Sequence, residues 1–406
     1  MTRKTLTAIM MVVCAVCIGC ETHSESKKLA QQRFEKASAH LKLSLAQQQY
    51  AQKKLDEAFK TVSECVAADP CMPEANLLLG QLLYMRGLHA RAESQFDLAV
   101  RQDEELADGW YWLGLAAQQK RNYDQACDYH RAALALEPLK TDYILAMADI
   151  YCAQDKNEQA TSLLKEKMEF LPGEVSLKLA AANLMVRTGD NQQAIELYQE
   201  AMFMRPDDEG IAESLGYCYI FSSKWSKGAE IFGRLAEQCT DRDIRKSYVE
   251  LVALCSMNCA QYGRAVHYYD RLSAEDTDNA DIWLRMGQAA LGAGAAYRAY
   301  ACAEKVLSLR PGSADAIALI GCAQYMRGDY KTADNSFQRI VSDEENAGFA
   351  WLMRARCYEK LGRISFAQRA YEKALELNPH SKLGELMAKG KERRKTKSVE
   401  TLLLWE

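Results

Sequence analysis

The residues best equipped for chemistry lie near the start of the chain. Cys14, Cys17, Cys20 and His23 are spaced C-x2-C-x2-C-x2-H, a run that could ligate a zinc ion or an iron–sulfur cluster if a loop brought the four together. A second thiol pair, Cys255 and Cys259, shares one helix face at i and i+4 but has no histidine or acidic residue in ligand register. The six histidines never fall four residues apart, and neither H-E-x-x-H nor G-x-S-x-G occurs. Gly384 to Lys391 looks like a phosphate-binding loop, but it has one residue too many between its glycines, and Glu392 stands where Ser or Thr should meet the metal. The expectation is a chain that is not an enzyme, with no cofactor, no metal and no small-molecule substrate.

The elements that would have to position the first cluster argue against it as a metal site. Arg3 and Lys4 precede an uncharged run of fifteen residues, Thr5 to Gly19, rich in Ile, Val and Met. Such a run is shorter than the roughly 20 residues that span a bilayer as a helix. A basic start, a short apolar core and a small residue before a cut read as a secretory signal over 1–19. Two of the cysteines lie inside that apolar core, where no loop converges them. Val16-Cys17-Ile18-Gly19-Cys20 resembles a bacterial lipobox, with Cys17 in place of the usual leucine. The resemblance implies acylation of Cys20, a short polar tether and then the start of the first helix within residues 20–38, and a lipoprotein facing the periplasm of a bacterial cell envelope. Acyl chains contribute about 0.8 kcal/mol per buried methylene, so several of them anchor firmly.

The rest of the chain is a repeat. Stepping by 34 residues from Ala39 places unit starts at Pro73, Ala107, Thr141, Val175 and Glu209, then, after the extra Asp243, Ile244 and Arg245, at Lys246, Ala280, Ala314 and Gly348. Position 8 is Ala46, Gly80, Gly114, Ala148, Ala182, Gly216, Ala253, Gly287, Gly321 and Ala355, and position 20 is alanine in every unit except at Gly228. Small residues let helix backbones approach closely, and Phe96, Tyr198, Phe232, Tyr269, Phe337 and Tyr371 at position 24 supply the bulk beside them. Six of the seven prolines fall at position 32, where each stops a helix. This layout resembles the tetratricopeptide repeat, a helix-turn-helix unit.

The resemblance implies an all-α, right-handed superhelical solenoid of about ten units: units 1–6 over 39–242, a register-breaking insertion at 243–245, and units 7–10 over 246–381. The insertion either lengthens a helix or loosens its junction, and a bend or a slightly separated interface is expected there. A C-terminal capping helix and a basic, then apolar tail would fill 382–406, where Leu383, Leu386 and Met387 recur at helical spacing. A solenoid buries each unit only against its neighbours, so 406 residues need no single large core.

In this family the first helices line a concave groove through positions 2, 5, 9, 12 and 13. Carried over, those positions hold Leu43, Tyr50, Leu77, Tyr84, Met85, Tyr111, Leu115, Tyr217, Ile220, Phe221, Tyr325, Met326, Phe349 and Leu352. Large apolar groups on a concave face suit a bound helix or extended peptide; alternatively they pack against the preceding unit. No carboxylate clamp is present, since positions 5 and 9 pair as Leu43/Gln47, Leu77/Gln81, Leu179/Asn183 and Leu284/Gln288.

A formal charge of −4 offers no field for nucleic acid. The tail residues Lys389, Lys391, Arg393, Arg394, Lys395 and Lys397 form either a solvated face or an attraction for anionic lipid. Eleven cysteines follow Cys20, an odd number, and most fall at packing positions. They read either as small buried hydrophobes or as partners across adjacent units. The expected function is a protein or peptide scaffold, held to a membrane by lipid, within an assembly, secretion or export machinery. The alternative is a carbohydrate-binding or exopolysaccharide-export accessory, with groove tyrosines stacking on sugar rings.

Overall fold

A computed structural model describes residues 34–378, and every regular element among them is an α-helix. The leader, Cys20, His23, the capping segment and the basic tail lie outside the described residues. The chain divides into two compact units between Met204 and Arg205. In the first, α1 (residues 34–51) pairs with α2 (Leu55–Ala68), α3 (Pro73–Met85) with α4 (His89–Gln102), and α5 (Ala107–Gln119) with α6 (Tyr123–Leu136). Next come α7 (Thr141–Ala153) with α8 (Asn157–Phe170), and α9 (Val175–Thr188) with α10 (Asn191–Met204). In the second unit the pairs are α11 (Glu209–Phe221) with α12 (Trp225–Gln238), α13 (Arg242–Asn258) with α14 (Tyr262–Glu275), and α15 (Ala280–Gly292) with α16 (Ala296–Leu309). It closes with α17 (Ala314–Met326) and α18 (Tyr330–Gln338), then α19 (Ala347–Lys360) and α20 (Ile364–Leu377).

Within each unit the second helix of a pair packs on the first helix of the next. First helices also touch across pairs, α3 with α5, α5 with α7 and α7 with α9 in one unit, and α15 with α17 in the other. Each unit is therefore a solenoid of helix pairs.

The turn inside each pair is the same device ten times. The residue that closes it lies in the left-handed region, at Lys53, Gly87, Arg121, Asp155, Gly189, Ser223, Ala260, Gly294, Gly328 and Gly362. Its amide donates to the carbonyl three residues back and the next amide to the carbonyl five back, as from Ser223 to Ile220 at 2.9 Å and from Lys224 to Tyr219 at 2.8 Å. This double bond satisfies the carbonyls that a helix leaves open at its end.

The recurring small residues are where the two helices of a pair meet. A Cβ on Gly80 would come within 2.5 Å of the Phe96 ring, one on Gly216 within 2.8 Å of Phe232, and one on Gly321 within 2.7 Å of Phe337. Each ring is fully buried, a gain of about 1.5–3 kcal/mol that offsets the helical glycine, which costs about 1 kcal/mol. The third pair keeps the hollow but changes the filler. Gly114 faces His130, which is 0% exposed and has no hydrogen-bond partner for either ring nitrogen within the protein.

Asp243, Ile244 and Arg245 are absorbed into α13, which has 17 residues where α11 and α15 have 13. The Asp241 side chain caps the lengthened helix, accepting from the Asp243 and Ile244 amides at 2.9 and 3.0 Å. At this junction a Cβ on Gly228 would lie 3.4 Å from Cys255 Sγ. Three residues are close to one helical turn, so the insertion extends the helix and the downstream face keeps its phase. The boundary between compact units falls elsewhere, before Arg205.

All eleven cysteines among the described residues are free, and Cys65, Cys127, Cys218, Cys255, Cys302, Cys322 and Cys357 are buried. Burial pushes the Cys255 and Cys302 thiols up to about 11 and the Cys322 and Cys357 thiols up to about 12, so little thiolate forms near neutrality. Under native conditions without reductant, a maleimide should label exposed Cys71 readily and the seven buried thiols only after denaturation. Failure of those seven to react in denaturant until reductant is added would instead demonstrate disulfides.

Candidate functional site

Aromatic side chains on neighbouring first helices meet one another as well as the second helices, as Trp112 meets Phe96 and Tyr111 meets His130. In the first unit they build an aromatic ladder. Tyr84 meets Trp112 edge-on at 5.5 Å, Trp112 meets Tyr111 at 5.9 Å, and Tyr111 stacks on Tyr143 at 5.0 Å. The Tyr143 hydroxyl donates to Asp108 Oδ1 at 2.6 Å, and Lys140 Nζ donates to the same oxygen at 2.8 Å. Burial, then the bond to Asp108, hold that phenol well above its ordinary value, so it stays protonated. The ladder is locked in place and largely closed by its own contacts.

In the second unit the same face opens. Tyr217 from α11, Ser247, Glu250, Leu251 and Leu254 from α13, and Asp281, Ile282 and Arg285 from α15 surround a pocket of about 440 Å³, with Tyr269 and Asn279 at its edge. A smaller pocket of about 150 Å³ lies among Gln288, Leu291, Asp315, Ala318, Leu319, Cys322, Asn346 and Phe349. Asp281 at the larger pocket is held by a two-pronged ion pair to Arg310, at 2.7 and 2.8 Å. That contact outweighs burial, which acts in the opposite direction, and holds the Asp281 carboxyl below the usual carboxylate range.

Of the fourteen groove residues expected from sequence, Tyr217 lines the larger pocket and Phe349 the smaller. Leu43 and Leu77 do not face a groove. They are 7% and 8% exposed and belong to the cores formed with Leu78 and Leu82 and with Phe96 and Leu113 respectively, so they pack against the neighbouring pair. Tyr50 donates to the Met85 sulfur at 3.9 Å, and Tyr84 leans on His89 at 4.9 Å. Leu115, Ile220 and Leu352 are half-buried, and Ile220 lies against Gly228. Tyr325 rests edge-on against Tyr330 at 5.2 Å, while Met85, Phe221 and Met326 are exposed. A search for large apolar groups passes over Glu250 and Arg285, although Glu250 holds position 5 of its unit.

Residues 43–107, 107–138 and 349–381 each match the sequence model of the tetratricopeptide repeat. These segments are tetratricopeptide repeats. Among curated proteins, lipopolysaccharide assembly protein B of Escherichia coli (strain K12) is 22% identical over 280 residues, covering 66% of this chain and 68% of that protein. Superkiller complex protein 3 of Mus musculus is 20% identical over 329 residues, 79% of this chain but 19% of that protein. Among solved structures, Pseudomonas aeruginosa pilF aligns with a TM-score of 0.46 and 12% identity, over 53% of this chain and 97% of that one. YrrB, a tetratricopeptide-repeat protein with an unusual peptide-binding site, aligns with a TM-score of 0.37 and 15% identity, over 45% of this chain and 95% of that one. Proteins built on these repeats bind peptides or other proteins. Among the described residues no helix is long and apolar enough to cross a membrane.

Proposed function

We propose that this chain is a non-enzymatic scaffold that is exported, anchored by lipid on Cys20, and holds a polypeptide partner along the first-helix face of its repeats. The observation that carries this reading is the pair of pockets in the second unit. Both open among the first helices, and both mix apolar walls with a few polar groups, as a peptide site requires. The basic start, apolar run and Gly19-Cys20 pair support export and anchoring. Likeness to a protein named for lipopolysaccharide assembly supports a place in a cell-envelope assembly or export machinery.

A photo-crosslinking side chain at position 217, in the chain expressed in its native membrane, tests the groove. A discrete polypeptide adduct is expected. Recovery of glycan alone would favour the carbohydrate-binding alternative, and no adduct above background would remove the scaffold reading. Mass spectrometry of membrane-extracted protein tests the anchor, with an acylated Cys20 expected and an unmodified Met1 overturning it.

A further inference from the structure

We propose that the pocket between α11, α13 and α15 takes the arginine or lysine side chain of an extended polypeptide segment, with Glu213 and Glu250 as its counter-charges and Arg285 donating to the segment's backbone. The inference rests on the groove reading above and names what the groove selects.

Glu213 and Glu250 occupy the same place, position 5, in consecutive repeats; Glu250 lines the pocket, Glu213 lies one turn before the lining residue Tyr217 on α11, and neither carboxylate is in a salt bridge among the described residues. The charged groups around them are otherwise engaged. Lys246, one turn before Glu250 on α13, feels that carboxylate but donates to Asp276 at 2.9 Å, and Asp281 is held by Arg310. Arg285 lines the pocket on the α15 side beside Tyr269 and Asp281, away from Glu213 on α11. The unanswered charge at the α11–α13 side of the pocket is negative.

Glu213 also acts on its surroundings. Burial and then the Glu213 carboxylate hold the Tyr217 phenol above its ordinary value, and the same two causes, in the same order, lead in pushing Tyr248 up to about 12.

The walls choose among cations. Tyr217, Leu251, Leu254 and Ile282 present a ring and branched aliphatic chains, which suit the methylene stem of arginine or lysine and offer a π-face to its head. A bare divalent ion would want six or more oxygen ligands. The volume of about 440 Å³ leaves space for flanking backbone, whose carbonyls can accept from Arg285.

The test is selection of a random heptapeptide display library on the immobilised full chain, repeated on a Glu213→Gln/Glu250→Gln variant. Enrichment of arginine or lysine at one fixed position is expected, and a selected peptide should bind the double variant about tenfold more weakly, the loss of one charge-assisted contact. Should the double variant fail to fold, ionic strength serves as the second measurement on the unaltered chain. Added salt should weaken the selected peptide and leave its basic-to-alanine counterpart unchanged. Enriched peptides without a basic preference, a preference that survives the double substitution, or salt-insensitive binding each overturn this inference while leaving the groove reading intact. No enrichment at all overturns both.

Discussion

Replacing His130 with phenylalanine should stabilise the first compact unit and remove most of its sensitivity to mild acid. His130 sits at position 24, facing Gly114, where other repeats place Phe96, Phe232 and Phe337 against Gly80, Gly216 and Gly321. The hollow is shaped for a ring, and the imidazole leaves both nitrogens buried without a partner. Removing that desolvation cost is worth about 1–2 kcal/mol at neutral pH.

The larger effect appears on acidification. Burial pushes the His130 imidazole down to about 4, against an ordinary value of 6.5. Between those values the unfolded chain binds a proton that the folded chain refuses, so the contribution is fully present above pH 6.5 and lost as pH falls toward 4. A gap of this size removes about 2 kcal/mol by pH 5 and about 3 kcal/mol by pH 4. Other titrating groups of the unit cancel when His130→Phe is measured beside the unaltered chain. Urea denaturation followed by tryptophan fluorescence across that pH window makes the measurement, since Trp112 lies 5.9 Å from Tyr111, which contacts His130. Equal acid slopes in the two chains would refute the assignment.

Glycine at the five left-handed turn positions that lack it should raise stability in steps. Lys53, Arg121, Asp155, Ser223 and Ala260 all adopt φ between +55° and +60°. A side chain in that region costs about 1–2 kcal/mol, against which glycine adds about 0.5–1 kcal/mol of unfolded-state freedom. The net gain is about 0.5–1 kcal/mol per site, smallest at Asp155 because aspartate tolerates this conformation. The five residues share no hydrogen bond or ion pair with one another among the described residues, so the gains should nearly add, giving about 2–4 kcal/mol for the fivefold variant. Thermal melts of the stepwise series check this. A Gly87→Ala change should move the melt the other way, since Gly87 has φ of +76° and nothing near its missing Cβ except the backbone's own strain.

These two sites show where sequence stops being readable. The 34-residue phase is carried by residues whose size is the message, and the first helices begin at Pro73, Ala107, Thr141, Val175, Glu209, Ala280 and Ala314, in step with it. Backbone strain leaves a weaker mark. Only half of the turn positions are glycine, so the shared left-handed bend is hidden by Lys53, Arg121 and their like until φ is known. His130 hides for the opposite reason, since its polar name conceals an aromatic's place. At position 5 the exposure depends on the neighbour: Leu43 and Leu77 sink against the next pair, while Glu250 stands open beside a pocket. A filter for large apolar groups gathers the first kind and discards the second.

The packing described among the helices also governs how the chain is assembled. Each helix is covered mainly by the ones immediately before and after it or by those two places away. No distant segment must be found before an apolar face is sheltered, so the entropy of closing long loops is largely avoided. Such a polypeptide can acquire its structure vectorially, turn by turn as it emerges from a ribosome or a translocation pore, with each completed hairpin serving as the template for the next.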